Sequence, residues 1–176
     1  MKFISPSVHI HAARRAEVPV VVNLAKELAC EEGHPDIIQA TPQDWERDLF
    51  GQQAHFTAIL ADHDGETAGM LIYGKEFYPG WVAPAIKIHD LYVKPSHRRQ
   101  HVAKALLEYV AGIALEAKAV LVHLNVRAAN PARDFYSRTG FQPVPECLTY
   151  LIALPAIQTL AQAASEIARL DLPGVV

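Results

Sequence analysis

The segment 92-YVKPSHRRQHVAKALLEY-109 sets Lys94, Arg98, Arg99 and Lys104, with no acid before Glu108, against the start of an apolar, helix-forming run. A strand that passes through a loop into a helix N-terminus turns several unpaired amides and the positive end of the helix dipole toward one point, which makes a cradle for phosphate. With Arg98, Arg99 and Lys104 added, a diphosphate suits that cradle; the plainer reading of such a charge run is a solvated helix face. Just upstream, 85-AIKIHDLYV-93 has apolar residues at Ile86 and Ile88 and then at Leu91 and Val93, so the apolar phase slips by one at His89-Asp90. That slip is what a β-bulge produces. Histidine titrates near neutrality, which makes His89 a candidate proton acceptor, a half-exposed strand histidine being the plainer reading. The other histidines offer less. His9 and His11 straddle a short strand and His97 and His101 lie one turn apart, but no Cys, Asp or Glu completes a ligand set in the sequence, so no metal is expected.

Positioning these groups falls to a regular alternation of elements. A strand near 8–11 leads to a helix over 17–32, where Pro19 is tolerated only in the first turn and Gly33 and Pro35 force an end. Thr41-Pro42-Gln43-Asp44 is a helix start, with a hydroxyl cap, proline at the first position and an acid in the first turn, and that helix ends near Gly51. Strands over 56–61 and 68–74 flank an Asp64-Gly65 reversal and form a hairpin. After the strand over 85–93 and the basic loop, Val102, Leu106, Val110 and Ile113 mark one face of a helix. The stretch 119-AVLVHLNV-126 is apolar on both faces, as in a central buried strand. Asn130-Pro131 caps a further helix that Gly140 ends; strands over 141–144 and 148–154 and an amphipathic helix from 155 complete the chain.

Composition bounds the function. A chain of 176 residues, 51% hydrophobic and 20% charged, is sized for one domain with a proper core. A net charge of −3 argues against a general nucleic-acid binder, and no apolar run approaches the roughly 20 residues that cross a bilayer, so neither nucleic acid nor membrane is an expected partner. Cys30 and Cys147 lie far apart outside any CxxC pattern, and the N-terminus lacks an apolar signal core, so a cytoplasmic setting is expected.

Read with its neighbours, 93-VKPSHRRQHVAKALL-107 resembles the acyl-CoA binding motif of the GNAT N-acetyltransferases. Val93, Pro95, Arg98, Ala103, Leu106 and Leu107 match, and His101 stands where the motif has its first glycine. The stretch 130-NPARDFYSRTGF-141 resembles the family's second signature through Ala132, Phe135, Tyr136, Gly140 and Phe141, with Ala129 where an asparagine is usual. The resemblance runs from Val8 to Leu154. Within the family, 24-LAKELACEE-32, 77-FYPGW-81 and 88-IHDLYV-93 are most similar to the diamine and polyamine branch that includes spermidine/spermine acetyltransferases.

The resemblance implies an α+β, three-layer fold, with a mixed, mostly antiparallel sheet flanked by helices and split by a V-shaped gap. Residues 1–154 would form the acetyltransferase domain and 155–176 a helical extension of it. The implied reaction is direct transfer of the acetyl group of acetyl-CoA to a primary amine of a small cationic molecule, a diamine, polyamine or lysine-like compound. Contacts to CoA would come from Leu91, Tyr92 and Val93 on the strand, from Arg98, Arg99, Gln100, His101, Val102, Ala103 and Lys104 at the helix start, and from Asn130, Arg133 and Tyr136. Tyr136 would be the general acid, His89 or Asp90 the base, and an amide freed by the bulge at Leu91 or Tyr92 would receive the oxyanion. Glu32, Trp81 and Asp90 would hold the acceptor amine. A homodimer is implied because such relatives commonly pair. Two alternatives stay open: a protein or peptide N-acetyltransferase, and a catalytically degenerate acyl-CoA binding module, the latter motivated by His101 and Ala129.

Overall fold

The computed structural model of the chain describes residues 8–145 and 156–158. The chain divides into two compact units, residues 1–141 and 142–176, and the first carries the elements that bear on the site. Strand β1 (His9–Ala12) leads through a tight 3-10 turn into helix α1 (Val18–Glu31), after which Gly33 takes the left-handed φ of 79°. Helix α2 (Pro42–Phe50) opens on a reciprocal cap: Asp44 N–H donates to Thr41 Oγ1 at 3.2 Å, and Thr41 N–H donates to the Asp44 carboxylate at 2.9 Å. Strands β2 (Thr57–His63) and β3 (Glu66–Tyr78) form the expected hairpin, with Asp64 and Gly65 at φ 54° and 82°, the pair of left-handed residues that a two-residue turn requires.

Strand β4 (Ala83–Val93), helix α3 (Val102–Glu116), strand β5 (Val122–Leu124) and helix α4 (Ala132–Arg138) follow. Gly140, at φ 98°, ties off α4: its own N–H reaches Ser137 O at 3.2 Å, and Phe141 N–H reaches Tyr136 O at 3.1 Å. The sheet runs β1-β2-β3-β4-β5, antiparallel except for the parallel β4–β5 pair. On one face α3 packs Val102, Leu106 and Val110 over Ile59, Leu71 and Ile86. On the other, α1 and α2 bring Val21, Leu24 and Leu49 onto Leu60 and Met70. This is the mixed, mostly antiparallel α+β architecture with helices on both faces that the motifs imply.

Two expectations are corrected. The stretch 119–126 is a strand only at Val122–Leu124, and all three residues are half-buried. The reason is that β5 follows β4 for three pairs, Ile86 to Ile88, and β4 then bulges away. No strand forms over 141–144, where the Phe141 amide closes α4 instead. The strand expected over 148–154 lies outside the described residues, as does the C-terminal helix apart from 156–158, which are helical.

Gly69 leaves no room for a side chain between β3 and β4, since a Cβ there would stand 2.5 Å from the carbonyl oxygen of Tyr92. Gly69→Ala is therefore expected to lower stability by roughly 1–3 kcal/mol, the range for overpacking. The measurement is the urea midpoint; an unmoved midpoint would mean that β4 yields without cost.

Candidate active site

The bulge lies where the sequence phase slips. Ile72 opposes Asp90 and Tyr73 opposes Ile88, which leaves His89 as the extra residue of β4. The amides on either side agree with it: Ile86 N–H turns to Leu121 O of the β5 side at 3.1 Å, whereas Lys94 N–H turns to Ala68 O of the β3 side at 2.9 Å. Counting back from Lys94 by strand alternation, Tyr92 points its amide into the β3 ladder, and Leu91 and Val93 point theirs toward the gap beyond Leu124. Of the two amides expected to be free, geometry therefore selects Leu91.

Beside the bulge opens a cavity of about 370 Å³, walled by Trp45, Asp48 and Phe56 with His89 and Asp90, and closed by Ala40 and Ile72. The His89 ring packs edge-on to Phe56 at 5.0 Å. That partial desolvation, followed by the Lys87 charge, holds its pKa below the ordinary histidine value. Burial, and then the charge of Glu32, raises the Asp90 carboxyl above the usual range. The same two causes in the same order raise the Tyr136 phenol. Glu32 is thus in electrostatic reach of both Asp90 and Tyr136, and Asp90 shares the cavity wall with His89. Tyr136 is itself half-buried, with its ring 5.8 Å from Phe141 and 5.6 Å from Phe135.

At the start of α3 the first-turn amides of Val102, Ala103 and Lys104 point out of the helix, and no side chain caps them. His101 precedes them at φ 65° and Arg99 sits at φ 61°. The cations there are not equivalent. Arg98 donates from Nε to Val93 O at 3.0 Å, pairs with Glu31, and lies 6.0 Å from the Tyr92 ring, so it braces the loop. Gln100 donates to Ser96 O at 3.0 Å. Lys104 pairs with Glu108 at 2.8 Å on an exposed helix face, a weak tie. Arg99 has no ion pair among the described residues. Left-handed His101 costs about 1–2 kcal/mol for its Cβ, against roughly 0.5–1 kcal/mol of chain entropy that glycine would add. His101→Gly is therefore expected to leave stability equal or slightly raised while tightening CoA binding severalfold, as calorimetry would show; weaker binding would mean that the imidazole itself contacts the ligand.

The remaining expected residues fall elsewhere. Asn130 Oδ1 accepts from Ala132 N–H at 2.8 Å, the capping role, and Arg133 donates back to Ala128 O at 2.8 Å. Trp81 sits in the β3–β4 turn, 62% exposed and 5.4 Å from the Tyr78 ring, and does not line the cavity. Sequence reasoning missed Trp45 and Asp48. Their spacing of one helical turn on a capped helix was the signal available. It also missed that Trp45 Nε1 is buried without a hydrogen-bond partner among the described residues.

The sequence pattern of the acetyltransferase (GNAT) family matches residues 22–141. Thialysine N-epsilon-acetyltransferase of Sus scrofa is 28% identical over 148 residues, spanning 80% of this chain and 87% of that protein. Spermidine/spermine N(1)-acetyltransferase-like protein 1 of Homo sapiens is 25% identical over 138 residues, 74% of this chain and 20% of that protein. Among solved structures, an integron cassette protein from the mobile metagenome of V. cholerae shares the fold with a TM-score of 0.74 at 22% identity, covering 89% of this chain and 98% of that one.

Proposed function

We propose, from the premise that this chain belongs to the acetyltransferase (GNAT) family, that it moves the acetyl group of acetyl-CoA directly onto the primary amine of a small cationic molecule. The observation that carries the reading is the parting of β4 from β5 at a bulge whose extra residue, His89, also walls an acid-lined cavity. Acetyl-CoA supplies an activated thioester. The first-turn amides of α3 with Arg99 would hold its diphosphate, while Leu91 and Val93 would bond its arm along the open side of β4. An ammonium near pKa 10 has to lose a proton before it attacks, and His89, kept neutral at physiological pH by its lowered pKa, is the acceptor for it. The Leu91 N–H would receive the charge that develops on the carbonyl oxygen. Tyr136, its phenol raised and protonated, would donate to the departing thiolate.

The acceptor class follows from the cavity. Asp48 and Asp90 line it and Glu32 lies near, a field that favours a cation over an anion. A volume of about 370 Å³ fits a small molecule better than a peptide chain. The Trp45 Nε1–H, unpartnered among the described residues, favours an acceptor that carries an oxygen close to its amine, as lysine-like compounds do. The names of the relatives, thialysine and spermidine/spermine acetyltransferases, agree with a small amine. Exposed Cys30 suits a reducing cytoplasm, and we extend the proposal to that compartment and to a homodimer, which sedimentation would test.

The deciding experiment is thiol release from acetyl-CoA across spermidine, putrescine, lysine analogues, aminoglycosides and N-terminal peptides. Turnover is expected on a small diamine or lysine-like amine. Turnover on peptides alone would convert the reading to a protein N-acetyltransferase, and CoA-dependent melting without any turnover would convert it to a binding module.

A further inference from the structure

Away from the gap, at the opposite end of the strand order, the β1–β2 pair carries a second cluster. His9 pairs with Asp62 across the two strands, and His11, two residues on, shares the face of His9. The register shifts between Ala61 and Asp62, opposite the extra residue Ala68, and the Asp62 carboxylate reaches His11. One ligand atom each from His9, His11 and Asp62 lie within 4.8 Å of one another, at the mouth of a cavity of about 270 Å³. The two imidazole rings stack at 5.6 Å.

The surroundings of these groups are what distinguish them from an exposed trio. Thr67 Oγ1 donates to Asp62 Oδ1 at 3.0 Å, which fixes the carboxylate and leaves Oδ2 turned to His11 Nε2 at 3.2 Å. The other nitrogen, Nδ1, lies 3.1 Å from Ala12 O and 3.9 Å from a Glu17 oxygen. Both nitrogens of one ring therefore face oxygen acceptors. A hydrogen on Nδ1, bonded to the backbone carbonyl, leaves the Nε2 lone pair aimed at a carboxylate, and a cation shared between the two resolves that opposition. A ring held through Nδ1 to a carbonyl and a carboxylate held by a hydroxyl are the usual outer supports of a metal ligand. Arg14, at the rim of the same cavity, is neutralised by Glu17, bonding it at 2.6 Å and 3.0 Å.

We propose that His9, His11 and Asp62 bind one borderline divalent transition cation of the zinc and nickel kind, with water in its remaining positions. Two imidazoles and one carboxylate are the donor set that such ions take, whereas calcium and magnesium prefer oxygen alone. Metal–nitrogen bonds of about 2.0–2.1 Å imply ligand spacings of about 3.3 Å in a tetrahedron, so the set has to close. His9 is exposed and free to change rotamer. The site has no part in acetyl transfer. It joins the edge strand β1 to β2 beside the turn that starts α1, and the proposal stands independently of the acceptor assignment. Asp62 is invisible as a partner in the sequence because strand pairing, not spacing, brings it to His9.

The test is isothermal titration of the chelator-stripped, tag-free full chain with zinc sulfate, paired with melting curves with and without zinc. The expected result is one equivalent bound and a melting temperature that rises with zinc. His9→Ala is expected to weaken binding at least about 10-fold, and Thr67→Val, which keeps every ligand and removes only the support of Asp62, about 10-fold. Both variants should melt like the parent in chelator, because His9 is exposed and Thr67 lies at a hairpin edge. His97→Ala, which alters a different histidine pair, should bind as the parent does. No stoichiometric zinc would overturn the proposal and leave the His11–Asp62 contact as a side-chain pair only. Binding that survives both His9→Ala and Asp62→Asn, or that His97→Ala abolishes, would overturn it as well.

Discussion

Replacing His89 with glutamine is expected to lower kcat/KM for the acceptor amine about 100-fold, the lower end of what a positioned proton acceptor supplies. Glutamine retains reach and polarity but takes no proton. The pH profile separates this from a loss of shape. Packing against Phe56 and the charge of Lys87 both disfavour the imidazolium, so the His89 pKa lies below 6.5. The neutral form predominates above that pKa, and the parent rate should hold through neutrality and fall only as pH drops through it. In His89→Gln that acid limb should vanish, leaving a low rate that is flat over the same range. A variant that keeps the parent's acid limb would remove His89 as the base and move the role to Asp90 or to water. Gly74 makes the room that the ring occupies, since a Cβ there would stand 3.0 Å from its Nε2.

Tyr136→Phe comes next in size. The substitution keeps the ring that packs against Phe135 and Phe141 and removes only the hydroxyl. The single-turnover acetyl-transfer rate is expected to fall at least about 10-fold, and as much as about 100-fold, while the Kd for acetyl-CoA stays within about 2-fold. The phenol is raised above 10 by burial first and by Glu32 second, so it carries its proton across the whole working range. Its deprotonation should therefore bring down the parent rate only on the alkaline side, above pH 10. Single-turnover conditions matter, since slow product release would mask the chemical step in kcat. An unchanged single-turnover rate would leave Tyr136 as a core aromatic and assign thiolate protonation to water.

Much of this site is legible in the sequence because its parts are local. A bulge shifts apolar phase within one strand, so His89-Asp90 betrays it; the cradle is a loop and a helix start contiguous in the chain; Thr41 and Asp44 announce α2. The acceptor cavity is not local. Its Trp45 and Asp48 come from α2 and Phe56 from the start of the hairpin, and only the folded sheet brings them to His89. Trp81, expected near the acceptor, lies instead on an exposed turn, because aromatic type says nothing of which end of a hairpin a residue occupies. The stretch 119–126 misleads for a related reason. Apolarity on both faces is read as one long buried strand, yet the bulge in β4 ends its pairing with β5 after three residues. Arg98 adds what the motif does not show at the scale of one side chain: its guanidinium also reaches Glu31 and Val93 O.

That commitment of Arg98 bears on solubility. By parting from β5, strand β4 turns the amides of Leu91 and Val93 past His89 toward a gap where, among the described residues, no strand pairs with them, and such a row is a template on which a foreign strand can grow. An intruding chain would need the Val93 carbonyl as its acceptor. Arg98 Nε already occupies it at 3.0 Å, with a charge beside it that an incoming strand would have to desolvate. The residue that braces the loop thus also sets a charge beside the cleft, where it would disfavour strand addition.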